Sequence, residues 1–548
     1  MNKRVSPSSI LAVCAMGLVA SSAMAQTLPD AGALQQQIDR ERQQQMPKRI
    51  APEKPAAPAA MKPAAGVSVT VRQFRFSGNT LLTAEQLAPA VADFLNRPLD
   101  FSQLNAAVAA VAEVYRAAGW IVNAYLPQQD IKDGIVTIQI VEAVFGKLKI
   151  DGTLSERVAP SQVEAIFAAR QAVGASLNAD NLDRALLLAD DLPGVAVAGS
   201  LAAGSREGET DLILKMADEP LVIGEVAINN TGARSTGKNQ LTANLNLTSP
   251  FGLGDLISAS AIHAEANDYL RLGYTLPVGS DGWRIGVSAS HLKYDLIAPE
   301  FKSLNAKGTS DTTGLEASYP ILRSRLANLY LNLNYDRKKF DNESLGATTT
   351  RYTINSNSIA FNGNLFDNWG GGGANSANLT WTGGSRDNQI GTTNQHFDKL
   401  RYTLSRQQVI TNDLSFFAQG SGQESRDNLD SSEKFYLGGA SGVRAYPSSE
   451  GGGDSGVLTN LELRWKLPEG FMLTGFHDYG HVRNNNAAMN YSLKGYGLSL
   501  GWQTPVGANL KATWAHRIGN NPNPTATGKD QDGSLDKNRL WLTASLPF

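Results

Sequence analysis

Cysteine is almost missing from this chain: Cys14 is the only thiol among 548 residues. It lies in an N-terminal segment that reads as removable. The chain beyond that segment has no thiol to oxidise, as suits a protein exported to the periplasm or outer membrane. Net charge is scarce as well, because 49 lysines and arginines against 51 acids leave a formal −2. That excludes the basic footprint of a nucleic-acid binder and the character of a polyanion. No apolar run reaches the roughly 18 to 20 residues of a spanning helix, and no GxxxxGK[ST] loop is present to cradle a nucleotide phosphate. The six histidines offer no metal set: His477 and His481 fall on a strand pattern, too widely separated to share an ion. Glycine, by contrast, is abundant at 52 residues, in a chain 42% hydrophobic with mean hydropathy −0.23. Such averages suit a soluble protein, and equally a transmembrane barrel whose strands alternate apolar and polar residues. The length leaves room for roughly three to four domains.

Residues 1–25 carry the marks of a signal peptide. Lys3 and Arg4 precede an apolar run from Ile10 to Ala20, and Ala23-Met24-Ala25 is a small-x-small cleavage site, so the mature chain is expected to start at Gln26. A membrane anchor would need a longer run, and a lipoprotein site at Cys14 has Val13 in an unfavourable place. Residues 26–46 form an expected N-terminal plug helix, Gln-rich and poor in apolar residues, with Asp30 as candidate N-cap. Residues 47–66, with five prolines and many alanines, read as an extended tether. The helix is either a plug leashed inside a water-filled lumen or part of a disordered tail.

Between 67 and 219 the chain repeats itself. Strand-like alternation in "VSVTVRQFRFSGN", two helical stretches and two further strands give a β-α-α-β-β order over 67–143, and 144–219 repeats it. Phe76 to Ile150, Gly78 to Gly152 and Gly134 to Gly208 share one offset of 74 residues, as a duplication requires. Each unit is expected to be a small α+β domain with a free strand edge, able to accept an extended guest by main-chain pairing, or else an inert spacer.

After Pro220 one pattern runs to the end. Leu329, Leu331, Leu333 and Tyr335 share one face while Tyr330, Asn332, Asn334 and Asp336 share the other, and similar segments of about ten residues recur between Gly, Asn, Asp and Ser clusters. Eleven segments precede a glycine-rich stretch, the last at 413–426. Five more come after it, at 456–467, 471–483, 494–505, 508–519 and 538–548. Sixteen strands can close antiparallel with both ends on one side, leaving no unpaired edge in lipid and enclosing an aqueous lumen. The competing fold, a soluble β-sandwich or propeller, leaves the signal peptide unexplained. The last strand ends in Phe548, which resembles the recognition signal of outer-membrane barrels.

The glycine-rich stretch, residues 427–455, is the expected long loop between strands 11 and 12. Its centre carries Val443, Arg444, Ala445 and Tyr446, and an arginine folded into the lumen needs an anion. Asp478 in the next hairpin shares a face with Met472, Thr474, Phe476 and Gly480, which makes it the candidate. A bidentate pair shielded from water is stronger than one in bulk solvent. His477 and His481 fall on the opposite face, as interfacial or loop residues, so no serine-histidine-acid set forms around Asp478.

These residues resemble the TpsB family of two-partner secretion transporters, the haemolysin secretion/activation type of the BamA-like superfamily. Val443, Arg444 and Tyr446 match its V-R-G-[YF] loop motif, and Phe476, Asp478 and Gly480 match F-x-D-x-G. Phe74, Phe76, Gly78 and Asn79 resemble the start of a POTRA domain. The resemblance covers nearly all the mature chain. It implies a 16-stranded outer-membrane barrel, two POTRA domains in the periplasm at 67–143 and 144–219, a plug helix and an inward loop locked to the wall by Arg444 and Asp478. It also implies export of an unfolded TpsA-type partner without cofactor or catalysis, in contact with outer-membrane lipid and, during biogenesis, with the barrel-assembly machinery. Ala445 departs from the motif, where the family usually has glycine; a positive φ there would be uncomfortable for alanine, so the loop tip is expected to differ somewhat in shape. A barrel-assembly factor and a simple porin are the alternatives.

Overall fold

The computed structural model describes residues 28–45, 68–152, 154–448, 450–486 and 490–548. The expected signal peptide and the linker at 47–66 lie outside the described residues. Helix α1 (Ala31–Gln45) begins after Asp30, whose Oδ1 accepts the Ala33 N–H at 2.8 Å and so satisfies one orphan donor of the first turn.

The first α+β unit contains β1 (Ser68–Thr70), β2 (Gln73–Ser77), α2 (Ala84–Val91), β3 (Pro98–Asp100), α3 (Phe101–Ala117), β4 (Val122–Tyr125) and β5 (Ile135–Glu142). Capping boxes start both helices, Thr83 with Gln86 and Asp100 with Gln103. The second unit contains β6 (Val144–Ile150), α4 (Pro160–Ala168), α5 (Ala179–Asp190), β7 (Val195–Ala203) and β8 (Glu209–Asp218). Its sheet order β6-β8-β7 repeats β2-β5-β4 of the first, with one parallel and one antiparallel pairing in each. The repeat glycines match in conformation: φ is 84° at Gly78 and 91° at Gly152, 72° at Gly134 and 78° at Gly208. That left-handed region costs glycine nothing. The stretch expected as one strand over 67–79 is instead two, because the backbone N–H of Arg72 turns to the Gly134 carbonyl at 2.8 Å and buries Val71. The first piece pairs with β3 as a separate ribbon.

The barrel begins with β9 (Val222–Asn229), β10 (Gln240–Thr248), β11 (Leu256–Ala264), β12 (Asn267–Val278), β13 (Trp283–Asp295) and β14 (Lys307–Arg323). It continues through β15 (Ala327–Ser344), β16 (Ala347–Asp367), β17 (Gly373–Ile390), β18 (Gln395–Val409) and β19 (Leu414–Glu424). A loop, residues 425–454, carries the two-residue ladder of β20 (Phe435–Tyr436) and β21 (Gly452–Gly453). The wall then resumes with β22 (Ser455–Lys466), β23 (Phe471–Arg483), β24 (Asn490–Gln503), β25 (Asn509–Arg517) and β26 (Asn538–Pro547). These sixteen wall strands close antiparallel, β26 pairing with β9. The strand expected at 494–505 begins at Asn490, and the one expected at 508–519 ends at Arg517.

Alternation decides what faces outward. Leu540 and Leu542 are 55% and 47% exposed on the outer surface, while Trp541 between them is 8% exposed and points inward. No helix among the described residues is long and apolar enough to cross a membrane. At the end of the barrel where the chain terminates, Phe548 and Gly224 exchange two backbone hydrogen bonds of 2.9 Å. The second α+β unit docks on this same rim: Arg323 grips the Asp191 carboxylate at 2.7 and 3.0 Å, and Arg184 Nη2 donates to the Pro320 carbonyl at 2.6 Å.

Candidate functional site

The loop between β19 and β22 folds into the lumen. Its base is a short 3-10 turn, Ser431–Glu433, whose Glu433 is 2% exposed and accepts from Lys338 of β15 at 2.8 Å and Lys399 of β18 at 2.5 Å. Burial pushes the Glu433 carboxyl up, but the two ammonium groups overcome it and hold the group at about 2. The tip then reverses direction. Val443 N–H donates to the Leu437 carbonyl at 2.7 Å, and Gly442 lies so close that an added Cβ would meet that oxygen at 1.9 Å. Glycine is therefore required there to bring the backbone together.

The turn aims Arg444 at the barrel wall. Nε donates to Asp478 Oδ2 at 2.9 Å and Nη2 to Oδ1 at 2.7 Å, and the Arg444 backbone N–H adds a third bond to Oδ2 at 3.0 Å. Asn460 of β22 supplies a fourth donor to Asp478 at 2.8 Å. The carboxylate, 0% exposed, thus has partners at both oxygens, the condition under which a buried charge is tolerated. The remaining guanidinium nitrogen, Nη1, donates to Glu462 Oε1 at 2.8 Å, and the Phe476 ring lies 3.5 Å from Arg444 Cζ. Phe476 therefore forms a flat seat for the cation that Asp478 and Glu462 bracket.

The other motif residues complete the socket. Val443 is fully buried among Phe435, Leu437, Leu458, Val482 and Leu493. Tyr446 is 1% exposed, with Arg517 of β25 at 4.3 Å from its ring centre. Gly480 leaves room for Leu437, whose Cδ2 would stand 2.7 Å from any Cβ placed there. Ala445 does not adopt a positive φ, so the conformation that would be uncomfortable for alanine does not arise. It is fully buried, and its methyl occupies the space that Gly495 of β24 leaves open. The loop tip accommodates alanine because the glycine stands on the facing strand.

The carboxylate Glu462, the amide Asn460 and the indole of Trp541, which donates to the Arg444 carbonyl at 2.8 Å, were not singled out by sequence. A signal existed for their orientation: in "TNLELRW", Asn460, Glu462 and Arg464 alternate with Leu461, Leu463 and Trp465. Nothing in the alternation says which loop atom they meet. His477 and His481 lie within β23 rather than in a loop. The first is exposed on the outer face, and the second bonds Ser492 Oγ at 3.0 Å.

Helix α1 lies against both the wall and the loop. Ala31, Leu34 and Ile38 pack with Tyr294, Phe340, Ile354 and Leu429. The Ala31 N–H donates to Asn342 Oδ1 at 3.1 Å, Ser431 Oγ donates to Asp30 at 2.7 Å, and Arg40 Nη1 donates to the carbonyls of Tyr436 at 2.9 Å and Gly438 at 3.2 Å. The few apolar residues of the helix thus gather against the wall, while Asp30 and Arg40 tie it to the loop.

The family model for haemolysin secretion/activation protein ShlB/FhaC/HecB matches residues 208–504, more than half of the chain. The chain belongs to this family. A POTRA domain of the ShlB type matches residues 69–143. Among curated relatives, the Heme/hemopexin transporter protein HuxB of Haemophilus influenzae (strain 86-028NP) is 26% identical, with all of both chains covered. The Outer membrane transporter CdiB of Dickeya dadantii (strain 3937) is also 26% identical, over 82% of this chain and 81% of that one. The solved structure of CdiB from Escherichia coli superposes with a TM-score of 0.72 at 21% identity, covering 96% of this chain and 100% of that one, which shows the common fold. This family member is an outer-membrane barrel with POTRA architecture on its periplasmic side.

Proposed function

We propose that the chain exports an unfolded TpsA-type partner protein from periplasm to cell surface through its barrel, and that Arg444 and Asp478 form the lock that holds the inward loop during rest. The observation that carries this reading is a closed barrel whose lumen contains both a helix and a loop, each held by hydrogen bonds and ion pairs as well as by apolar packing. The hydrogen bonds and ion pairs among these contacts can re-form with water or with a passing polypeptide. The second α+β unit, read as a second POTRA domain, and the first offer strand edges to the partner by main-chain pairing. No nucleotide or cofactor enters this scheme, and folding of the partner outside supplies direction. Contact with outer-membrane lipid and with the barrel-assembly machinery during insertion belongs to the same reading.

The test is a secretion assay in a strain lacking the chromosomal copy and carrying the protein encoded beside it. The wild-type chain restores the partner to the surface or medium, and Arg444→Ala leaves the partner in the periplasm while the barrel itself accumulates. A strain that exports the partner without this chain, or that loses other outer-membrane barrels instead, refutes the assignment in favour of a porin or an assembly factor.

A further inference from the structure

The strand ladder that closes the barrel is shorter than the two ladders beside it. Strand β9 pairs with β10 through eight register positions and β25 with β26 through eight, but β26 and β9 share only five, from Thr543↔Asn229 to Pro547↔Glu225. Above Thr543, where β9 has ended, one residue continues the seam. Asn230 donates its backbone N–H to the Leu542 carbonyl at 3.2 Å and its Nδ2 to the Leu540 carbonyl at 2.9 Å, and its Oδ1 accepts the Leu542 N–H at 2.7 Å. A side-chain amide thus stands in for two backbone groups of an absent strand. Leu540 and Leu542 face outward, so the inner face of this short segment is Trp541.

Trp541 does not point into open lumen. Its Nε1–H donates to the backbone carbonyl of Arg444 at 2.8 Å, and its side chain is buried. The same Arg444 is fastened on its other side to Asp478 of β23. The upper part of β26 is therefore clasped from within by the loop tip and within the sheet by Asn230.

We propose that Trp541 is a positioning residue through which the seated loop tip holds the upper β26–β9 seam closed. This linkage concerns the integrity of the wall, whether or not a partner is being exported. Since the indole and the guanidinium share one loop residue, the seating of the loop and the closure of the seam are linked equilibria. Loosening either must loosen the other by the same factor. The loop thus acts as a strut as well as an obstruction.

Amide hydrogen exchange of the folded full chain in lipid nanodiscs tests this. Trp541→Phe keeps the ring and deletes the donor. It is expected to speed exchange of the Leu540 to Thr543 segment about tenfold, the effect of one net hydrogen bond, while β15 to β17 keep their wild-type rates. Arg444→Ala is expected to do the same from the other side, and the double variant to be no faster than the faster single variant, because both remove one linkage. Wild-type rates at the seam in Trp541→Phe, multiplication of the two effects in the double variant, or equal acceleration around the whole barrel would each overturn the proposal. Should Trp541→Phe yield no folded barrel, Arg444→Ala decides by itself: faster exchange confined to the seam supports the linkage, and an unchanged seam refutes it.

Discussion

Asp478 receives both the guanidinium and the backbone N–H of Arg444, so the carboxylate reads the shape of the loop as well as its charge. Exchanging the two charges therefore does not exchange the two roles. Arg444→Ala or Asp478→Ala is expected to weaken loop seating by about 3 to 5 kcal/mol, the cost of leaving one buried charge without its partner. Either variant should retain a heat-modifiable barrel and lose most secretion. The charge-reversed double variant should not recover it, because an arginine at 478 cannot accept from the backbone N–H at 444 or from Asn460. Recovery of export in the double variant would reduce the pair to simple charge attraction.

Ala445 and Gly495 divide one small volume between them. Ala445→Gly should change stability by no more than about 1 kcal/mol, since the backbone there has no positive φ to relieve and only a methyl group is lost. Gly495→Val should displace the loop tip, as a Cβ at 495 would come within 2.6 Å of the Ala445 methyl. Comparing melting temperature and secretion in the two variants checks the asymmetry; equal damage from both would contradict it.

Glu433 joins the loop base to two strands through Lys338 and Lys399. Glu433→Gln leaves two poorly solvated ammonium groups facing a neutral amide, and is expected to destabilise the loop base by about 3 kcal/mol. Faster proteolysis near residues 425–436 in the folded protein, without loss of the barrel, is the measurable consequence.

Helix α1 should be seated more firmly in acid. Burial and the Asp430 carboxylate raise Asp30 to about 6, and burial raises Glu41 to about 7. Both lie above the ordinary carboxylate values, so protonation favours the seated state. That stabilisation is complete below about 4 and fades as the pH rises through about 6 to 7. Channel openings in planar bilayers should be rarer at about pH 5 than at about pH 8, and Asp30→Asn should flatten the dependence while keeping an N-cap. Deleting residues 30–46 should raise conductance at both pH values while sparing export; unchanged conductance would show that the helix does not obstruct the pore.

The barrel was legible because its physics is local. Each strand has its own inside and outside, and "NLYLNLNYD" declares both faces without reference to any other segment. The loop motif and the acidic strand motif were legible for a different reason, since a lone arginine among glycines demands an anion. Less could be seen where an element is too short to show a period, as with Ser68–Thr70, or where conformation is set by a facing strand, as at Ala445. The second carboxylate on Arg444 was hidden because Glu462 carries no pattern beyond its alternation.

By itself, the amino-acid sequence determined the strand count, the paired α+β units, the polar helix and the two residues of the proposed lock, because alternation, helical spacing and unpaired charge are properties of short segments. Only the tertiary structure decided that Asn460, Glu462 and Trp541 surround Arg444 and that Asn230 completes the seam. Those neighbours are set by strand register and barrel closure, which bring together residues as far apart as 230 and 542.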